Sequence, residues 1–244
     1  MAASPSTLDP SARQRIQLAA ASRMLSDDGQ DDFNQGQISA RSTQAGFLIK
    51  RAMRGFSDAG PDDMIVCPQD PDTAQPREAP PETPLHRAIY AARPDIGAII
   101  HTHAPHCLVF GATDLEIRPI SHEGAYFRNN VTRFTGTSHT ILDHGVAAQV
   151  AEALGGADAV FLVNHGVVVT APTIRKCTVL ALMLERHCRL QLMMESVGRP
   201  YSVSNDADIE NKRKFIYSDV SVKSYWNQKI SVVSKKHKDI AQWL

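Results

Sequence analysis

Two histidines, His101 and His103, close the apolar run Ile99-Ile100 with a single residue between them. Side chains of an extended strand alternate between faces, so residues i and i+2 share one face. An imidazole pair placed in this way is a preformed grip on a metal ion. Two imidazoles do not complete a tight site, and His165, which caps the apolar run Phe161-Leu162-Val163, supplies a third candidate. Glu82, just ahead of the helix-like segment Leu85–Tyr90, supplies a fourth. Three imidazoles with a carboxylate able to leave the ion are the ligands of a catalytic centre rather than of a closed structural one. Neutral imidazole suits Zn²⁺, Mn²⁺, Co²⁺ or Fe²⁺ alike, so one such ion per subunit is expected without a choice among them.

The elements that must position these residues follow from pattern. Ile16, Ala19, Ala20, Arg23 and Met24 recur at helical spacing, which predicts a helix from Leu8-Asp9 to Leu25 after a short disordered start at residues 1–8. Gln37–Arg41 and Gly46–Ile49 read as a strand pair joined by a turn, and Met64–Cys67 as a third strand. Six prolines between Pro68 and Pro84 demand an extended loop, which delivers Glu82 to the head of the next helix. Ile96–His103 is the ligand strand, Ala104–Gly111 a short helix and Asp143–Leu154 a longer one. Ala159–Val163 and Val167–Thr170 form a strand pair broken by Gly166. Pro172 suits a helix start, because its missing N–H would have no partner there, and Thr173–Val197 continues as the longest helix. Residues 211–244 are polar and basic, with Tyr217, Tyr225, Trp226 and Trp243 as their large anchors, and read as a tail or lid beyond a single domain at 9–210. Strands interspersed with helices predict an α/β fold.

At 244 residues and 43% hydrophobic composition the chain can bury one sizeable core. Equal numbers of basic and acidic residues, 26 of each, argue against nucleic acid as a partner and leave a small molecule as the default. No run approaches the ~18 apolar residues of a membrane span. The four cysteines lack C-x-x-C spacing and the first ten residues lack a signal-peptide core, which points to the cytoplasm and reduced thiols.

From about Ile16 to Arg199 the chain resembles the class II aldolase/adducin superfamily, whose members include sugar-phosphate aldolases and epimerases. The resemblance rests on Glu82, His86, Tyr90, the turn Ala92-Arg93-Pro94-Asp95, the pair His101 and His103, and Asn164-His165-Gly166, all in the family's order. It implies a three-layer αβα unit with a central sheet, and His101, His103, His165 and Glu82 about the metal. It also implies Glu82 as the acid/base residue, and a homotetramer with sites near subunit boundaries. His122, Glu123 and Tyr126 occupy the region where family members bring acid/base or substrate contacts. Of these, His122 and Tyr126 are carried forward as candidate catalytic residues. His106, Cys107, His187 and Cys188 read as packing residues.

The chain departs from the family's phosphate-binding pattern. Gly36-Gln37 stands for Gly-Asn, Lys50-Arg51-Ala52-Met53-Arg54-Gly55 for a Thr-Pro-Ser/Thr-Gly loop, and Pro80-Pro81 for Ser-Ser ahead of Glu82. Hydroxyls have left and three cations have entered, and guanidinium forks suit carboxylates as well as phosphates. Arg51, Arg54, Gln37 and Tyr225 are therefore candidate substrate-binding residues for a carboxylated small molecule. The resemblance then implies a metal-dependent carbon–carbon lyase working through a metal-stabilised enolate. Decarboxylation of a hydroxylated aromatic dicarboxylate or keto acid stands ahead of aldol cleavage or epimerisation of a sugar derivative. A non-catalytic adducin-like interaction module is the alternative of a different class.

Overall fold

The computed structural model describes residues 10–42 and 46–243, so the expected disordered start at 1–8 and the turn at 43–45 lie outside the described residues. In chain order the elements are α1 (Pro10–Asp27), β1 (Gln37–Arg41), β2 (Gly46–Lys50), β3 (Met64–Pro68), α2 (Thr83–Ala92), β4 (Ala98–Thr102), α3 (Pro105–Gly111), α4 (His122–Phe127), β5 (Val131–Phe134), α5 (His144–Leu154), β6 (Ala159–Leu162), β7 (Gly166–Ala171), α6 (Ile174–Ser196), α7 (Asp206–Ile216), α8 (Asp219–Lys236) and α9 (Lys238–Trp243). The strands form one seven-stranded sheet in the order β3-β2-β1-β4-β7-β6-β5. Every pairing is antiparallel except the edge pair of β5 and β6.

Both faces of the sheet are covered, which is why the central strands read as nearly unbroken apolar runs. On one face Ile38, Ile100, Phe161 and Val167 pack with Leu18 and Met24 of α1 and with Leu180 and Leu184 of α6. On the other, Phe47, Ile99, Val160 and Val168 pack with Leu85 and Ile89 of α2 and with Val150 and Leu154 of α5. This is the expected three-layer αβα arrangement. Parity along β4 decides the chemistry: Ile100 and Thr102 serve the α1/α6 face, while Ile99 and His101 face α2.

Two parts of the architecture lie beyond the pattern reading. Between residues 112 and 142 the chain forms α4 and β5, the latter a four-residue strand with three half-exposed positions, too short for a clear alternation. Residues 211–243 are helical for most of their length, and α8 packs on α1 and α6. Trp226, Val233 and Ile240 lie buried in the core of that face, and Arg23 pairs with Asp239 at 2.9 Å. The spacing of Val222, Trp226 and Val233 is helical and was the available signal. No described helix is long and apolar enough to cross a membrane.

His187 ties α6 to the cap of α4. It is fully buried, with Nε2 3.0 Å from Gln191 Oε1 and Nδ1 3.2 Å from Ser121 Oγ, and burial pushes its pKa down to about 4. An unfolded chain binds this proton near pH 6.5 and the folded chain only near 4, so stability is full above the first value and falls as pH drops toward the second. The loss by pH 4.5 should be roughly 2–3 kcal/mol. His187→Gln should flatten the dependence, and urea unfolding of both proteins at pH 7 and 4.5 measures it. Parallel pH slopes would exclude the assignment.

Candidate metal centre and active site

The proline-rich approach ends with the Pro80 carbonyl accepting from both the Thr83 amide, at 3.1 Å, and the Thr83 hydroxyl, at 2.6 Å. Glu82 is thereby fixed as the residue before α2. Its side chain makes no capping bond to that helix. The carboxylate turns instead into the gap between strands. Oε2 lies 3.2 Å from His101 Nε2 and accepts from Gln37 Nε2 at 3.2 Å, while Oε1 lies 3.4 Å from His165 Nε2 and accepts from the Ile141 amide at 3.0 Å. Burial raises the pKa of Glu82, but His101, the Ile141 amide and His165 outweigh it and hold the carboxyl below the usual range. Burial lowers and Glu82 raises the pKa of His101, with a net rise. Burial and the neighbouring His101 push His165 down to about 4.

The ligand atoms of His101, His103 and His165 lie within 4.8 Å of one another. Nε2 of His101 and of His103, and Nδ1 of His165, are buried without a hydrogen-bond partner. Buried polar atoms are nearly always paired, so the orphaned Nε2 atoms of His101 and His103, with His165 Nε2 3.4 Å from the Glu82 carboxylate, fit a cation held among them. The opposite nitrogens are held: His101 Nδ1 faces the Val167 carbonyl at 3.1 Å and His103 Nδ1 faces Asp32 Oδ2 at 3.1 Å. Such contacts fix the tautomer that leaves Nε2 free to ligate. The donor set therefore fits a divalent ion held by His101, His103 and His165, with Glu82 at its edge.

The backbone sets this geometry. His101 pairs with Gln37 on one side and Val168 on the other. Asn164 takes φ 59, which reverses the chain between β6 and β7 and presents His165. Gly166 follows because a Cβ there would lie 2.5 Å from the Thr102 carbonyl and 3.0 Å from the His103 ring. Behind the ligands, His86 Nδ1 meets Ser39 Oγ at 2.7 Å and Ser39 meets Tyr90 Oη at 2.9 Å. Burial and nearby His101 lower the pKa of His86 to about 3.

The other expected residues are placed less uniformly. Gln37 joins the site through Glu82. Arg54 is engaged by Asp58 and Asp63, each at 3.1 Å, whereas Arg51 has a looser contact with Asp63 at 3.8 Å. Lys50 is buried, donates to the Arg54 carbonyl and lies over the Phe56 ring, so it ties the loop rather than facing a ligand. Burial pushes its pKa down to about 8. His122 and Tyr126 sit on α4. Tyr126 donates to Asp158 and stacks on Tyr217 with ring centroids 4.2 Å apart. Asp158 binds Thr170, about 13 Å along β7 from Gly166 at ~3.3 Å per residue, so one chain does not bring Tyr126 to the histidines. Tyr225 lines a cavity of about 270 Å³ with Asp28, His106 and Glu185, apart from the ligands. Two contributors escaped the sequence reading. Asp32 lies in an acidic turn that gives no periodic signal, and the Ile141 amide is brought in only by the fold.

Removing a ligand and removing its support should differ in degree. His165→Ala should abolish stoichiometric metal binding. Asp32→Ala should weaken it about 10- to 100-fold, the usual effect of losing such a partner, with the fold intact. Chelator competition on reloaded protein measures both, and full occupancy in His165→Ala would exclude the ligand set.

The chain is similar to known proteins in both sequence and fold. The chain is 28% identical over 211 residues to a 3,4-dihydroxyphthalate decarboxylase of Arthrobacter keyseri, covering 80% of this chain and 84% of the relative. It is also 28% identical over 168 residues to a 5-methylthioribulose-1-phosphate/5-deoxyribulose-1-phosphate aldolase of Rhodospirillum rubrum, covering 69% and 75%. The fold superposes on an aldolase II superfamily protein from Pseudomonas syringae with a TM-score of 0.82 at 23% identity, over 96% of this chain and 98% of that one. The sequence profile of the Class II Aldolase and Adducin N-terminal domain matches residues 16–192, and the chain belongs to that family.

Proposed function

We propose that the protein is a divalent-metal-dependent carbon–carbon lyase that decarboxylates a hydroxylated aromatic dicarboxylate or a related keto acid. The observation that carries the reading is the buried Glu82 carboxylate held between His101 and His165 beside orphaned imidazole nitrogens. A non-catalytic interaction module has no use for that arrangement. When bound, the ion supplies Lewis-acid stabilisation of negative charge developing on a substrate oxygen. Ionised Glu82 takes the proton of a substrate hydroxyl. As the bond to the carboxyl group breaks, carbon dioxide leaves, the electron pair remains on the ring, and Glu82 returns the proton to that carbon. Arg51, whose guanidinium among the described residues makes a 3.8 Å contact with Asp63, is the fork available to a second carboxylate.

The loop chemistry around residues 50–55 and Pro80-Pro81 favours decarboxylation over phosphate-dependent cleavage, and the decarboxylase relative agrees. Aldol cleavage of a sugar derivative is the second reading, favoured by an equally similar aldolase. We further propose Zn²⁺, Mn²⁺, Co²⁺ or Fe²⁺ as the ion and a homotetramer as the working assembly, in which His122 and Tyr126 serve a neighbouring site. A cytoplasmic setting suits the four buried free cysteines. Carbon dioxide release from dihydroxyphthalate-like and keto-acid substrates, run beside aldol cleavage yielding dihydroxyacetone phosphate, tests the reading. Robust cleavage of a sugar 1-phosphate without carbon dioxide release would put the aldolase in front.

Glu82→Gln should keep the metal and lower turnover by about 10²- to 10⁴-fold. Unchanged turnover would reduce Glu82 to a structural carboxylate. Arg51→Ala should raise KM for a dicarboxylate about tenfold, equivalent to ~1.4 kcal/mol, with metal content unchanged. Wild-type kinetics would remove Arg51 from the substrate site.

A further inference from the structure

We propose that Phe33 and Met53 form an apolar wall at the mouth of the metal site and select substrates that carry a flat aromatic ring. This rests on the decarboxylase reading and names its specificity-determining residues. Three loops converge there. Asp32, adjacent to Phe33, holds His103 at 3.1 Å. A Cβ on Gly55 would lie 2.7 Å from the Phe33 carbonyl, so the segments around residues 33 and 55 are in close contact. The Ala52 amide donates to the Glu78 carbonyl at 2.8 Å, which ties the second loop to the approach to Glu82. Gly36 completes the convergence: a Cβ there would lie 3.2 Å from the His101 carbonyl and 2.9 Å from the Phe56 ring.

At this junction Phe33 is 90% exposed and Met53 83% exposed, with the Asn34 amide 3.6 Å from the Met53 sulfur. Both residues take left-handed backbone angles, φ 51 and φ 61. The other non-glycine residues of this kind among those described are Asn129 and Asn164, whose short polar side chains suit the conformation. Glycine or asparagine would meet the same turns without strain and without two large apolar side chains in water. Contact with an apolar surface would account for these side chains, and a thioether and a phenyl ring are each well suited to a flat π-face. The Arg51 fork on the same loop supplies the charge that such a ring's carboxylate needs.

Isothermal titration of metal-loaded full-length protein with 3,4-dihydroxybenzoate and with 2-phosphoglycolate tests the wall. The variants are Phe33→Asn, Met53→Asn and their combination. The double variant should weaken 3,4-dihydroxybenzoate about tenfold, or ~1.4 kcal/mol, and leave 2-phosphoglycolate within about twofold. Its Tm should be unchanged or higher, because asparagine tolerates both backbone positions. Unchanged aromatic binding in the double variant, with tight binding by the parent, overturns the wall alone and leaves the lyase reading standing. A parent that binds 2-phosphoglycolate but not the aromatic overturns both. Sedimentation of the same samples completes the test: a shift of the variant to smaller species would assign the pair to contact between copies of the chain and overturn the proposal.

Discussion

The site depends on keeping a carboxylate charged where almost no water reaches it. Glu82 is 4% exposed, and burial alone would favour its protonated form. Two imidazoles and one backbone amide reverse that balance, and the Gln37 side-chain amide is a further donor. They come from β1, β4, the turn before β7 and the loop before α5, so no local segment can assemble them. The strand order β1-β4-β7 is the arrangement that does so, and it makes the sheet topology part of the chemistry. Taking away a single donor leaves a buried charge short of partners, which is costly in proportion to its burial.

The same charge explains the behaviour of the surrounding histidines. His101, next to Glu82, is biased toward its cationic form when no ion is bound, while His86 and His165 are driven neutral by burial and by their positive neighbour. A divalent ion is the natural replacement for that proton, since it satisfies His101, His103 and His165 together. Behind them the Ser39, His86 and Tyr90 contacts fill the space between β1 and α2 with neutral hydrogen bonds.

Much of the centre was legible because strand parity is a short-range rule. His101 and His103 declare their shared face by spacing, and the prolines before Glu82 declare an extended approach. The fold class was legible from the alternation of apolar runs and helical spacing, and the family resemblance placed His165 and Glu82. What escaped depends on distant pairing. Asp32 becomes a histidine partner only when its turn lies against β4. Arg54 reads as a free fork until Asp58 and Asp63 occupy it. Tyr126 falls in the expected region of the chain but is carried to the far end of β6 and β7 by Asp158 and Tyr217. β5 is too short for its pattern to speak, and the terminal helices carry their apolar stripe so sparsely that composition hides it.

Gly166 has a wider consequence. Without a side chain it lets β7 approach the Thr102 carbonyl closely, so His101 in β4, His103 just past its end and His165 in the turn between β6 and β7 are held together. The residues proposed to meet the rest of a substrate, by contrast, sit on the loops around 33 and 53. Two inheritances are thus carried by separate parts of the chain. The metal-facing residues are tied to the ladder, where even one methyl group is excluded, while loops outside it accept phenylalanine, methionine or arginine at little cost to the sheet.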